Sequence, residues 1–441
     1  MLLEFNVQNY LSIRDRQTLS FRANKNINHL DDYYTTTVLD ERVLKIALIF
    51  GANASGKTNV LSALDFLRSL ILHPKTSKTE HLDCTPFLLD DKTCTENSVF
   101  EILFIWNATK YKYSIEFNNN YVVKEILKKG HKKQLKEVFI RTTDPIKQIS
   151  KIKFVETVKI PETSVLSLTD NTLWNTTVIS GFNKTNIECQ ELKDVYEWFS
   201  YYLNFLIRPN RDLKNLISKK IDSGEINKDK LLPILQRADF NIADISLKKE
   251  QEDVPERVVD FILSASPNLS DSAVKYLKSA KTISTIDVRF LHLDTNNNAN
   301  DKIPYDMESL GTQRYYGLAG LLYLLIKKSN CYMIDELESS LHPDLFQHFL
   351  LSFCVNANQS QIIATTHNRE ILNNKRIFRN DMICIVDKDD NCGTILYKLS
   401  DFDTSVIRDT SNILNAYNSG RLGGIPNIGD YYINIDGDEI E

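Results

Sequence analysis

No two of the seven cysteines (Cys84, Cys94, Cys189, Cys331, Cys354, Cys384 and Cys392) are spaced as CxxC, and their number is odd. This argues against a zinc site or a disulfide framework and for a reducing compartment. Long hydrophobic runs are also missing: the longest, Leu318–Ile326, is about half of what a membrane span requires. The opening MLLEFNVQNYLSI carries an early Glu and Asn and has no basic n-region or apolar h-region, so no signal peptide is expected. Neither sign of charge dominates. Lys+Arg 53 against Asp+Glu 58 gives −5, which argues against a basic coat for bulk nucleic-acid binding and leaves room for one local basic stripe. Low complexity and disorder are excluded by 42% hydrophobic and 25% charged residues, enough for an ordinary core. The 441 residues allow two or three domains at roughly 100–200 residues each. A cytoplasmic protein with no membrane partner is expected.

The first chemical signal is local. Residues 44–50, LKIALIF, read as a strand buried on both faces. Directly after them stands Gly51-Ala52-Asn53-Ala54-Ser55-Gly56-Lys57-Thr58, which fits GxxxxGK[ST] at every fixed position. A helical pattern follows, with Val60, Leu61, Leu64, Leu67 and Ile71 on one face. Strand, glycine-rich loop and helix form the context that a phosphate loop needs. Gly51 and Gly56 allow close approach of backbone to phosphate, and successive N–H groups with the helix N-terminus face the anion. The expected nucleotide contacts are Gly51, Asn53, Ala54, Ser55, Gly56, Lys57, Thr58 and Asn59. Lys57 reaches the β- and γ-phosphates of ATP, and Thr58 ligates Mg²⁺.

The second signal is the apolar run that ends in Asp335-Glu336. Asp335 is placed to hold the same Mg²⁺ as Thr58, and Glu336 to polarise an attacking water. After Leu337-Glu338-Ser339-Ser340-Leu341-His342-Pro343 comes an amphipathic helix, DLFQHFLLSFCV, and then a buried strand, QIIAT, which ends in Thr366-His367-Asn368. His367 stands at a second strand end, where it could contact a γ-phosphate.

Together these residues resemble the ABC-type ATPase heads of the SMC, RecF and OLD group. Glu308-Ser309-Leu310-Gly311-Thr312-Gln313-Arg314 resembles the group's LSxG signature, with Ser309 and Gly311 on the fixed positions and Glu308 in place of the usual Leu. The Gly-Thr-Gln-Arg continuation is similar to that of OLD-like and RloA-like prokaryotic defence ATPases. So is the Gly/Pro-rich ending Asn418–Ile428. The opening Leu3–Ile13 resembles the first strand and Asn-aromatic turn of such heads. The resemblance implies an α/β fold: a P-loop NTPase ABC-type head with an antiparallel β-layer and an inserted helical lobe. It implies head-to-tail pairing around ATP, as a homodimer or higher homo-oligomer. Ser309 and Gly311 of one copy then face the phosphate loop of the other, and Ser339 and Ser340 lie in the loop toward the partner site. His367 becomes the switch histidine and joins Lys57 and Glu336 as catalytic. The Q-loop glutamine is expected near Thr85-Pro86-Phe87, where no Gln stands.

The expected layout is an N-terminal ATPase part over 1–187, a helical insert over 188–302 and a C-terminal ATPase part over 303–441. Val99–Trp106, Lys110–Phe117 and Tyr121–Leu127 read as an antiparallel meander. LKDVYEWFSYYLNFL, KDKLLPILQRA and DSAVKYLKSA read as helices without sustained heptads, and Thr295–Asp301 as a surface loop. Lys124–Lys136, with six Lys, reads as a solvated hairpin edge, with DNA or an acidic partner as the alternative. Met382–Val386 and Thr394–Leu399 read as a hairpin, Thr404–Tyr417 as a helix, and Asp436-Gly437-Asp438 as a solvated acidic tail. The leading function is an ATPase that senses or scaffolds in anti-phage defence and controls a separately encoded effector, a nuclease or toxin. The alternatives are a RecF- or SMC-like repair ATPase that clamps DNA and an ATP-cemented structural scaffold.

Overall fold

The computed structural model describes residues 1–131, 134–238, 241–253, 257, 259, 282–293, 299–374, 377–402 and 413–426. They divide into two units. One is Met1–Pro209, Lys328–Glu338 and Cys354–Glu441; the other is Asn210–Lys327 and Ser339–Phe353. In chain order the first unit begins with β1 (Leu2–Gln8), β2 (Gln17–Ser20), α1 (Asp31–Tyr34), β3 (Thr35–Val38), β4 (Glu41–Leu44), β5 (Ile46–Gly51) and α2 (Lys57–Leu72). A meander follows: β6 (Ser98–Trp106), β7 (Thr109–Phe117), β8 (Val122–Gly130), β9 (Lys136–Asp144) and β10 (Ile149–Phe154). Then come α3 (Glu162–Asp170), α4 (Val178–Phe182), α5 (Gln190–Glu197) and β11 (Leu203–Ile207). The second unit holds α6 (Lys214–Asp222), α7 (Lys228–Gln236), β12 (Ile242–Asp253), β13 (Thr282–Leu293), β14 (Ala299–Pro304) and α8 (Leu310–Lys327). The chain continues through β15 (Cys331–Ile334), α9 (Pro343–Asn356), β16 (Gln361–Thr365), α10 (Glu370–Asn373), β17 (Ile383–Lys388), β18 (Thr394–Lys398) and α11 (Ile413–Asn418).

The first unit is built on two sheets. Alternating burial along β6 and β7 gives one covered face, and the antiparallel sheet runs β10-β9-β8-β7-β6-β1-β2. The second sheet runs β11-β15-β16-β5-β17-β18. Its first five strands pair in parallel, and β18 closes one edge antiparallel. Helix α2 packs on β1 of one sheet and on β5, β16 and β11 of the other. Its stripe Val60, Leu61, Leu64, Leu67 and Ile71 is buried. Each such side chain contributes about 1.5–3 kcal/mol. On another face, Phe66 stacks on Phe117 of β7 at 5.4 Å. Gln361 stitches the sheets together: its amide accepts from Leu2 N–H at 2.7 Å and donates to the carbonyls of Leu2 and Leu44 at 2.9 and 3.0 Å.

The parallel register sets the site. Ile207 aligns with Ile334, Ile334 with Ala364, Thr365 with Ile49, and Val386 with Gly51. The carboxyl ends of β11, β15, β16, β5 and β17 therefore share one edge, where α/β sheets bind ligands.

In the second unit β12, β13 and β14 form an antiparallel sheet. Helix α8 packs against α6 and α7. Gly317 and Gly320 make the close approach to α6 and the residue before it. A Cβ at Gly317 would lie 2.6 Å from Leu213 Cβ, and one at Gly320 2.5 Å from Ile217 Cδ1. Phe290, Tyr305 and Tyr316 form an aromatic cluster with centroids 5.4–6.1 Å apart.

Several expectations need correcting. The stretch 188–302 is not wholly helical: it carries β11, β12, β13 and β14. Leu203–Leu206 are read in the sequence as the end of a helix. Helix α5 instead ends in a π-turn, Trp198–Tyr202, and a short apolar run then pairs with β15. The division also differs, since residues 188–209 belong to the first unit and 303–327 and 339–353 to the second. Ala299–Asp301 lie in β14 rather than in a loop. The meander and the β17–β18 hairpin stand as expected. In the lysine-rich stretch, Lys129 pairs with Glu191. DSAVKYLKSA, residues 294–298 and 403–412 and the Asp436-Gly437-Asp438 tail lie outside the described residues.

Candidate functional site

The phosphate loop leaves β5 after Gly51, and all six residues of that strand are buried. Two neighbours dictate glycine in the loop. A Cβ on Gly51 would lie 2.3 Å from the Val386 carbonyl oxygen, which is fixed backbone. One on Gly56 would lie 2.1 Å from Thr394 Oγ1 and 2.8 Å from Ser12 Oγ, at a φ of +107°. Asn53 and Ala54 are exposed, and Ala54 has φ 60°. Ser55 is buried, and its hydroxyl has no hydrogen-bond partner among the described residues. Among the described residues no side chain caps α2; Asn59 N–H is taken by the Gly56 carbonyl at 3.0 Å, which leaves the N–H groups of Lys57 and Thr58 for an anion.

Behind the loop lies a polar brace of Ser12, Thr394 and Asn59; of these the sequence marks Asn59 as a nucleotide contact, and its side chain bonds Ser12 here. Ser12 Oγ and Thr394 Oγ1 are 2.7 Å apart, Asn59 Nδ2 donates to Ser12 at 2.6 Å, and Thr394 donates to the Ser55 carbonyl at 2.9 Å. Ser12 sits in the N-terminal turn, where Asn9 donates to the Thr93 and Glu96 carbonyls and accepts from Phe87 N–H. Only their location next to a motif marks Ser12 and Asn59 in the sequence. Thr394 carries no local mark at all.

Lys57 is buried, and its ammonium donates to the carbonyls of Gly51 at 2.9 Å and Ala52 at 2.8 Å. Burial pulls its pKa down, against the upward pull of Asp335, Glu336 and Glu338. Thr58 Oγ1 reaches both Asp335 oxygens at 3.1 and 3.0 Å. Asp335 is buried, its N–H is held by the Ile207 carbonyl at 2.8 Å, and it accepts from Thr365 Oγ1 at 2.6 Å. Thr365 Oγ1 in turn accepts from Glu336 N–H at 2.7 Å. Glu336 is exposed and left-handed, φ 47°, a conformation that costs about 1–3 kcal/mol. Its turn is clamped because the next N–H, of Leu337, bonds the Thr365 carbonyl at 3.1 Å.

His367 follows β16. Its N–H donates to Glu338 Oε1, while Glu338 Oε2 is buried without a partner among the described residues. Burial lowers the imidazole pKa, Lys57 lowers it further, and Glu338, Glu336 and Asp335 oppose. Lys57, Thr58, Asp335, Glu336 and His367 are thus brought to one sheet edge of the first unit. The strand beside β15 is β11, which ends at Ile207. Thr85 and Phe87 instead bond the N-terminal turn: the Thr85 carbonyl accepts from Leu11 N–H at 2.9 Å, and Phe87 N–H donates to Asn9 Oδ1 at 2.9 Å.

Ser309 and Gly311 lie in the second unit. Ser309 Oγ accepts from Thr312 N–H at 3.1 Å and caps α8. Gly311 faces the loop that follows β15: a Cβ there would lie 3.1 Å from the Ser340 carbonyl. Glu308, which departs from the signature, pairs with His292 of β13 at 2.7 Å. Met307 and Leu310 flank Ser309 with 78% and 71% of their surface exposed.

The donor set suits a hard divalent cation and a polyphosphate. The Thr58 hydroxyl and Asp335 carboxylate are oxygen ligands of the kind that Mg²⁺ takes alongside phosphates. The orphan Ser55 hydroxyl and the uncapped α2 terminus supply donors for phosphate oxygens.

The sequence profile of the AAA ATPase domain matches residues 1–372. No curated protein matches the chain. Three SMC head structures are similar. The SMC head domain from Thermotoga maritima is 12% identical, with TM-score 0.41 over 90% of this chain and 98% of that one. An Smc head bound to the C-terminal winged-helix domain of ScpA is 12% identical, with TM-score 0.40 over 90% and 97%. An Smc head with an extended coiled coil, bound to the C-terminal domain of ScpA derived from Pyrococcus furiosus, is 11% identical, with TM-score 0.34 over 90% and 96%.

Proposed function

This chain belongs to the AAA ATPase domain family, and we propose that it binds and hydrolyses ATP in an ABC-type sandwich of two copies. The observation that carries the reading is the linked set Thr58, Asp335, Thr365 and Glu336 at the mouth of the phosphate loop. Lys57 and the loop N–H groups hold the β- and γ-phosphates. Mg²⁺, held by Thr58 and Asp335, would neutralise developing phosphate charge. Glu336 takes a proton from water as the water oxygen bonds to the γ-phosphorus, and the bond to the β-phosphate oxygen breaks to release ADP and phosphate. Loss of the γ-phosphate is read by His367.

Pairing is supported by the second unit. Ser309 stands exposed at the start of α8 between two exposed apolar side chains, Met307 and Leu310, a surface suited to covering by a second copy. The further role, a sensor or scaffold that controls a separately encoded effector in anti-phage defence, is supported by the Gly311-Thr312-Gln313-Arg314 and Asn418–Ile428 resemblances. The trans arrangement is tested by mixing. Ser309→Arg and Lys57→Ala should each be inactive alone, and their mixture should recover hydrolysis because one intact site forms per pair. No recovery would contradict the sandwich.

A further inference from the structure

Residues 413–426 make two sets of contacts in the first unit that nothing in the ATPase reading requires. At one end, Arg369, two residues beyond His367, lies over the Tyr417 ring at 5.6 Å, and its Nη1 donates to Asn418 Oδ1 at 3.2 Å. At the other end, the chain passes Gly51. A Cβ on Gly424 would lie 3.3 Å from Gly51 Cα and from the Val386 carbonyl oxygen, and 2.8 Å from Ile385 Cγ2. Gly424 has φ 67°, and Gly423 has φ 65° with no room for a Cβ beside Asp387 and Tyr397, each 2.4 Å away. Both positions therefore require glycine by backbone conformation and by space.

Hydrogen bonds lock the path between these ends. Tyr417 Oη donates to the Gly424 carbonyl at 2.7 Å, Gly424 N–H donates to Asp387 Oδ2 at 2.8 Å, and Tyr397 Oη donates to the Leu422 carbonyl at 2.7 Å. Leu422 and Ile413 are buried, and so is the ring of Tyr417. Tyr417 is the shared member: its ring carries the Arg369 contact and its hydroxyl the Gly424 contact.

We propose that residues 413–426 form a strap that holds the phosphate-loop entry at Gly51 in register with the His367 segment, with Arg369, Tyr417, Asp387 and Gly424 as positioning residues. The role assigned to the strap rests on the ATPase reading; its mechanical coupling does not. A strap of this kind ties the site that grips phosphate to the segment that reads its loss, through a piece of chain remote from both in sequence.

The test is hydrogen–deuterium exchange on the full chain without nucleotide, which reports coupling whether or not ATP is hydrolysed. Gly424→Ala should speed exchange in the 51–58 peptide about tenfold while leaving 98–117 unchanged. Arg369→Ala, which touches no residue of the loop, should also speed exchange in 51–58, and Arg369→Lys, which keeps a cation over Tyr417, should restore part of the protection. The Arg369 pair keeps the test decisive should Gly424→Ala fail to fold. Unchanged 51–58 exchange in folded Arg369→Ala would overturn the strap. Absence of ATP turnover in the unaltered chain, with coupled exchange intact, would instead remove only the ATPase reading beneath it.

Discussion

Thr365 bonds Asp335 through its hydroxyl at 2.6 Å, and the same oxygen receives the Glu336 N–H at 2.7 Å. One hydroxyl on β16 thus orients the expected metal ligand and pins the left-handed backbone of the expected base. The two acidic residues owe their relative placement to the neighbouring strand as much as to their own.

Thr365→Val should keep the fold and lose both bonds. About 1–3 kcal/mol of orientation is at stake, so kcat for ATP should fall roughly tenfold to hundredfold. Thr365→Ser should stay within a few-fold of the unaltered chain. Steady-state phosphate release measures both, and normal turnover in the Val variant would refute the role given to Thr365.

Gly56→Ala places a methyl 2.1 Å from Thr394 Oγ1 on a backbone with φ +107°. Strain of about 1–3 kcal/mol then falls on the loop, and ATP affinity should drop by about fivefold to a hundredfold. Adding Thr394→Ala should recover only part of the loss, since space returns and φ does not. Titration calorimetry with ATP and a magnesium salt measures this.

The strand, loop and helix around Lys57 were legible in the sequence because every requirement is local: an apolar run, two glycines and an amphipathic stripe. Asp335 and His367 were legible because each closes an apolar run. Thr365 and Thr394 were not, because their meaning comes from the strand order β16-β5-β17-β18, and Ser12 was not, because only its contacts with Asn59 and Thr394 bring its turn behind the loop. The strand at Leu203–Ile207 escapes sequence reading because LNFLI, four apolar residues and Asn204, is too short after a helix for periodicity to tell strand from helix. Its identity is fixed by β15, whose partner it becomes.

His367 supplies a pH dependence. Its pKa lies below the ordinary 6.5 chiefly through burial, then through Lys57. The folded site therefore favours neutral imidazole. Above about pH 6.5 this preference costs nothing, and the stability it carries is lost as pH falls from there through the lowered folded value. The acid limb of the kcat/KM profile, which reports the nucleotide-free enzyme, should accordingly lie below pH 6.5, and His367→Gln should remove that limb. A limb that persists unchanged in His367→Gln would assign it to another group.

The most direct measurement is the solution mass of Glu336→Gln with and without ATP and Mg²⁺. Gln keeps the shape of the side chain and cannot take the proton from water, so ATP should bind, persist and hold two copies together. The account predicts a doubling of mass that requires ATP and is abolished by Ser309→Arg. A mass unchanged by ATP, or Glu336→Gln turning ATP over at the normal rate, would contradict it.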